Sequence, residues 1–299
     1  MAILRTALAA AVCTALAGCD LQRAPTPLEF TQEQVTVHSM LVAGADSAAV
    51  LLTRVLPGPQ ANPRSRPLEG AAVRIVAGRD TLHLLPQGHG ADACNGGGHY
   101  GRIEHHLGPG CYMAAVPGGV GAGESYELIV DLPGGGRIHG TATVPDVPVL
   151  MFPDAGTEFE TRDVPSSDIP PAVLTRWAPV GPEMRLELRL DLDHPDCTVD
   201  LDFEEGGVQF GLWPWPYEVT GRDSVSLRIV LLSCYEPVDI TRFDGRLVLT
   251  AFDSAYSRYV QKAMNRSTRV DAASVGIPGA LGVFAGAASA DVPVVIILP

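Results

Sequence analysis

The chain has 299 residues, 46% of them hydrophobic, and its 34 Asp and Glu against 21 Lys and Arg leave a formal net charge of −13. So acidic a balance excludes a grip on nucleic-acid phosphates and a polybasic hold on anionic lipid. The length allows two domains of ordinary size, at roughly 150 residues each.

The first predicted element is a leader. Arg5 precedes a short apolar run, 7–18, that closes in Leu16-Ala17-Gly18-Cys19. A basic start, an apolar middle and small residues before a cysteine form the layout of a bacterial lipoprotein signal. Residues 1–18 are therefore expected to be removed, with the Cys19 thiol taking the lipid. The run is too short for a membrane span, which needs roughly 20 apolar residues. Several acyl chains on Cys19 give stable anchoring, whereas one alone holds only marginally. The expected location is the cell envelope, at the outer membrane, on its periplasmic face or the cell surface. Residues 19–33, with Pro25 and Pro27, read as a polar tether.

Strand signals follow one another. Val35, Val37, Ser39 and Leu41 alternate with Thr36, His38 and Met40, and 48–55 is a second β-rich run. Residues 71–76 and 81–85 flank Gly78-Arg79-Asp80, and 126–132 and 138–144 flank Pro133-Gly134-Gly135-Gly136. Both read as hairpins. Short strands punctuated by Gly and Pro predict a β-sandwich over 34–148. Residues 149–171 are polar and proline-rich and read as a linker. A second β-rich unit is expected over 172–299. In it Leu186, Leu188, Leu190 and Leu192 form one face of a strand, and Arg185, Glu187, Arg189, Asp191 and Asp193 the other. Residues 199–203 alternate similarly after His194-Pro195-Asp196, so the two runs read as a hairpin with one dry and one wet face. Trp177, on an early strand of this unit, is expected in the core. One helix is predicted, capped by Asp253 or Ser254, with Tyr256, Tyr259, Val260 and Ala263 on one face. The tail reads as a glycine-bearing loop and a last strand, 292–298. The fold expected is mainly β: two β-sandwich units, immunoglobulin- or fibronectin-III-like, with one short helix near the C-terminus.

Four stretches in this order resemble the lipoproteins of domain-of-unknown-function family 4249, common in Bacteroidetes-like bacteria. They are the lipobox at Cys19 followed closely by a strand; Leu68-Glu69-Gly70-Ala71-Ala72-Val73-Arg74-Ile75; Tyr126-Glu127-Leu128-Ile129-Val130 leading to Ala142-Thr143-Val144-Pro145; and Tyr256 and Tyr259 followed by Leu281-Gly282-Val283-Phe284. The resemblance implies an envelope lipoprotein of β-sandwich build, often encoded beside TonB-dependent outer-membrane transporters. It brings no catalytic residues.

Six cysteines are present, and four remain once Cys13 leaves with the leader and Cys19 carries lipid: Cys94, Cys111, Cys197 and Cys234. An even number in an oxidising compartment points to disulfides. Three pairings are open. The sequence-local one, Cys94–Cys111 and Cys197–Cys234, keeps each bridge within one expected unit and would stabilise by about 3–4 kcal/mol per bridge. Zinc on four thiols lacks the C-x-x-C spacing it would need.

Three constellations could carry chemistry. His89, His99, His105 and His106 crowd into 87–111 with Asp92 and Glu104, and imidazoles with carboxylates bind zinc, copper or nickel where three converge. The bland reading is a solvated, glycine-rich loop. Asp191, Asp193, Asp196, Asp200, Asp202, Glu204 and Glu205 offer oxygens for calcium, but Pro195 and Asp196 break the EF-hand pattern, and strand alternation already explains them. In Leu212-Trp213-Pro214-Trp215-Pro216-Tyr217 the prolines extend the chain and present Trp213, Trp215 and Tyr217 to a sugar ring or a peptide. No G-x-S-x-G elbow, H-E-x-x-H pair, phosphate loop or dinucleotide fingerprint occurs, so no catalysis and no cofactor is expected. The sequence thus points to a non-catalytic, membrane-tethered binding protein, an accessory to an outer-membrane transporter of the TonB-dependent type. A metal-binding protein using 87–111 is the alternative, and a structural envelope protein a third. Loops and exposed edges are the expected contact surface.

Overall fold

A computed structural model describes residues 28–30, 34–55, 58–60, 65–87, 110–160, 172–181, 184–193, 197–203, 217–234, 241–264, 274–275 and 277–297. The chain is mainly β, with one helix among the described residues. It opens with β1 (Leu28–Phe30), β2 (Gln34–Val42), β3 (Ser47–Val55), β4 (Gly58–Gln60) and β5 (Ser65–Pro67). β1 pairs with β4, so part of the expected tether is held in a small sheet of its own. Then come β6 (Ala72–Ala77), β7 (Asp80–Pro86), β8 (Cys111–Ala115), β9 (Ser125–Asp131) and β10 (Arg137–Thr143). Both predicted hairpins form. β6 turns into β7 with Ala77 opposite Asp80, and β9 into β10 with Asp131 opposite Arg137. The inward-pointing residues Val73, Ile75, Leu128, Val130 and Ile138 meet Val37, Leu41, Val50 and Leu52 in one core. Tyr112 is buried there, and its hydroxyl both donates to the Leu68 carbonyl at 2.9 Å and accepts from the Ala71 amide at 3.1 Å.

The second half contains β11 (Leu150–Phe152), β12 (Thr157–Glu160), β13 (Val173–Trp177), β14 (Arg185–Leu192), β15 (Cys197–Phe203), β16 (Tyr217–Glu218), β17 (Ser224–Cys234) and β18 (Arg242–Phe252). α1 (Ser254–Met264), β19 (Ser274–Val275) and β20 (Leu281–Ile297) complete it. A four-stranded sheet runs β11-β13-β17-β15, and the large sheet ends β20-β18-β14-β16. Trp177, Leu227 and Ile229 of the former and Leu186, Leu188, Leu247 and Ile296 of the latter share a second core. Trp177 is fully buried, as expected, and its indole N–H donates to the Arg222 carbonyl at 2.9 Å.

Several expectations need correction. The segment 149–171 is more than a linker. It supplies β11 and β12, and Phe159 of β12 is buried in the second core. Three- and four-residue strands are too short to show an alternation in sequence. The runs 185–193 and 199–203 do not pair as a hairpin. β14 hydrogen-bonds to β18 and β16, and β15 to β17. The dry leucine face of β14 packs against the four-stranded sheet, so the chain must change sheets between the two strands. Nor is the other face of β14 wet throughout, since Arg185 and Glu187 are buried.

The tail is one 17-residue strand rather than a loop and a strand. Its first part pairs in parallel with β2, from Thr36 opposite Leu281 to Val42 opposite Ala287. From Ala287 onward it pairs antiparallel with β18. One strand thus crosses the division expected between 34–148 and 172–299. Ala285-Gly286-Ala287-Ala288 shows no alternation because both faces are covered there. A Cβ on Gly286 would lie 2.6 Å from the Thr143 carbonyl oxygen and the Val144 Cα. Only glycine lets the end of β10 come so close.

Candidate functional site

The leading sequence candidates lie mostly outside the described residues: Cys19, Cys94, His89, His99, His105, His106, Trp213 and Trp215. Tyr217 falls in β16, opposite Leu188, at the end of the large sheet. Cys111 is buried at the start of β8 and is disulfide-bonded. The register of β15 and β17 sets Cys197 directly opposite Cys234. Among the described residues no group of three His, Cys, Asp or Glu side chains could hold a metal. Of the acidic stretch, Asp191 is gripped by Arg189 through two hydrogen bonds of 2.5 and 2.6 Å.

The described residues do assemble an exposed edge, and sequence reading passed over it. Among them seven large apolar side chains are exposed, and five of these fall together in chain position or strand pairing. Val147 is 47% exposed, Val149 59%, Met151 56%, Phe152 37% and Leu174 49%. Their positions follow from local pairing. The Val149 carbonyl accepts from the Ala178 amide at 2.9 Å. Leu150 then sits opposite Trp177 and Phe152 opposite Arg176, with an irregularity at Met151 between them. On β13 the odd positions Thr175 and Trp177 are buried and the even ones, Leu174 and Arg176, are exposed. Phe152, Leu174 and Arg176 therefore share the outward face, and β11 ends the sheet. Arg176 has no ion-pair partner among the described residues. The signal in the sequence was Val147-Pro148-Val149-Leu150-Met151-Phe152, five large apolar residues in six, set inside a stretch whose prolines suggested a linker.

A second cluster is buried beside α1. On β14 the Arg185 guanidinium donates to Glu187 at 2.5 Å and to Glu218 of β16 at 2.7 Å. Burial works against the Arg185 charge, but Glu187 and Glu218 outweigh it and hold the cation above its ordinary pKa. Burial, and then the neighbouring Glu187, push the Tyr256 phenol well up. Burial also raises Tyr259 and lowers His38, whose rings meet edge to face at 6.3 Å. Tyr256 stacks on Phe252 at 4.6 Å. These groups are paired with or packed against one another, and the arrangement seats the helix on the sheet.

No protein-family profile matches the chain, and no curated protein matches it. Among solved structures it is similar to a mutant of CfaE, the CFA/I enterotoxigenic E. coli adhesin, at 9% identity over 93% of this chain and 89% of that one. The TM-score is 0.24.

Proposed function

We propose that the protein is a non-catalytic lipoprotein of the cell envelope, held in the outer membrane by lipid on Cys19, and that it serves as a binding accessory to a TonB-dependent type of transporter. The observation that carries this reading is the lipobox Leu16-Ala17-Gly18-Cys19. A disulfide-bonded Cys111 is in keeping with an oxidising compartment. The exposed apolar edge at β11 and β13 is the kind of surface that a soluble protein leaves open for a partner. On this reading Cys94 bridges Cys111, Cys197 bridges Cys234, and the two cores belong to β-sandwich units of the kind family 4249 would supply. Trp213, Trp215 and Tyr217 add a second surface, for a glycan or peptide.

The test is crosslinking of the tagged lipoprotein in intact cells, followed by solubilisation and mass spectrometry. A TonB-dependent barrel captured in stoichiometric yield is the expected result. Recovery of the protein alone would overturn the accessory role.

A further inference from the structure

We propose that β20 is a closing strand: neither core forms until Leu281–Ile297 is seated between β2 and β18, so both halves of the chain fold together. The large sheet passes from β2 through β20 to β18. β20 pairs with β2 from Thr36 to Val42 and with β18 from Arg242 to Phe252. β12 and β19 pair with β20 and, among the described residues, with no other strand. Taking β20 away would cut the sheet in two and leave β2 and β18, both long, with an open edge each.

The side chains follow the same division. By strand alternation Phe284, Val294 and Ile296 share one face of β20. Phe284 is fully buried in the first core, with Ile277 and Ala280 from the approach to the strand. Val294 and Ile296 are buried in the second, together with Phe159 of β12. The opposite face, Val283, Ala285 and Ala287, packs with Phe252 and with Tyr256 of α1. The first core draws most of its side chains from 37–144, so it is the sharper case. Without β20 it lacks Phe284, and Val37 and Leu41 lie on an unpaired strand. Parallel pairing between segments as distant in sequence as β2 and β20 forms late, because the long loop between them must close first. On the lipoprotein reading, the chain crosses the inner membrane before it folds, and cores that wait for β20 stay open until that strand has crossed as well.

The test uses the full chain. Ile296→Val trims the second core and Phe284→Leu the first. Hydrogen exchange in urea, read by mass spectrometry, follows β6 and β9 in the first half and β13 and β17 in the second. Expected is one midpoint for all of them. Each variant should raise the unfolding equilibrium constant by the same factor in both halves, roughly fivefold for Ile296→Val. Two midpoints, or a transition in β6 and β9 that ignores Ile296→Val, would overturn the proposal. Pulsed exchange during refolding of the unsubstituted chain gives the order in time: β6 and β9 should gain protection no earlier than β20. Protection ahead of β20 would overturn the proposal too. Lipid enters neither measurement, so the two readings fail separately. If Cys19 proves unmodified, the link to export falls and the coupling stands. If the halves unfold independently, the coupling falls and the lipoprotein reading stands.

Discussion

Asp253 and Gly286 hold each other by two hydrogen bonds. The Asp253 amide donates to the Gly286 carbonyl at 3.0 Å, and the Gly286 amide donates to Asp253 Oδ2 at 3.1 Å. The other carboxylate oxygen, Oδ1, accepts from the Tyr256 amide at 2.8 Å and so caps α1. Amides of Thr143 and Ala255 also reach the carboxylate. One buried side chain thus ties together the helix, the shared strand β20 and the end of β10.

Gly286→Ala tests how tightly this joint is packed. The new methyl would lie 2.6 Å from Thr143 O and Val144 Cα, both backbone atoms that cannot swing aside. A loss of about 1–3 kcal/mol is expected, the range of an overpacked core. Thermal melting should show a Tm lower by several degrees. Gly134→Ala, where nothing lies within 4 Å, should change little. Equal effects from the two substitutions would mean that β10 and β20 are not in contact as described.

Asp253 also sets a pH dependence. Burial lifts its pKa above the ordinary 3.8, against the pull of the four backbone amides. A folded pKa raised above the unfolded one gives a contribution that is full below the unfolded value and is lost as pH rises through the folded one. Asp253→Asn does not titrate. The stability of the native chain relative to this variant should therefore fall as pH is raised from about 3.5 through the mildly acidic range. Urea midpoints of both proteins at several pH values measure it. A difference that grows with pH would show that the amides dominate, and a flat one that they balance burial; either would contradict the expectation.

The strands of the first half were legible because each buries one face, so Val73 and Ile75, and Tyr126, Leu128 and Val130, fall at every second position with the half-buried Arg74, Glu127 and Ile129 between them. The helix was legible for a similar reason: a 3.6-residue apolar period follows Asp253 and Ser254, and of these two expected caps Asp253 is the one that accepts from the Tyr256 amide. What escaped is where the period fails. Gly279-Ala280-Leu281-Gly282-Val283-Phe284 reads as a glycine-bearing loop, yet from Leu281 the chain is already in β20, and from Gly282 to Ala288 it is covered on both faces and shows no alternation. Arg185 and Glu187 look solvated because pairing, which sequence does not display, is what permits their burial. The β11 edge escaped since its apolar run lies among prolines and has only three residues in the strand.

Thr175 offers a stabilising change. Its hydroxyl is fully buried in the second core and, among the described residues, meets no hydrogen-bond partner. A buried polar group left unsatisfied costs roughly 1–3 kcal/mol. Thr175→Val keeps the shape and removes the hydroxyl, so a gain of about 1 kcal/mol is expected, seen as a higher urea midpoint with an unchanged slope. A loss instead would mean that the hydroxyl is hydrogen-bonded, most simply to an ordered water.

Arg185 and Glu187 should be far more costly to separate than to replace together. Glu187 is 3% exposed and Arg185 10% at the side chain, so deleting the guanidinium leaves a carboxylate in a dry site beside Tyr256. Arg185→Ala is expected to cost about 3–5 kcal/mol. Arg185→Met combined with Glu187→Leu removes both charges at similar volume and should recover most of that loss. Glu218, the outer member of the cluster, is 46% exposed, so Glu218→Gln should cost under about 1 kcal/mol. Chemical denaturation of the three variants measures the ordering. If the double replacement is as damaging as Arg185→Ala alone, the pair specifies the seating of α1 rather than merely neutralising a buried charge, and near-ultraviolet dichroism from Tyr256 and Tyr259 should then change along with stability.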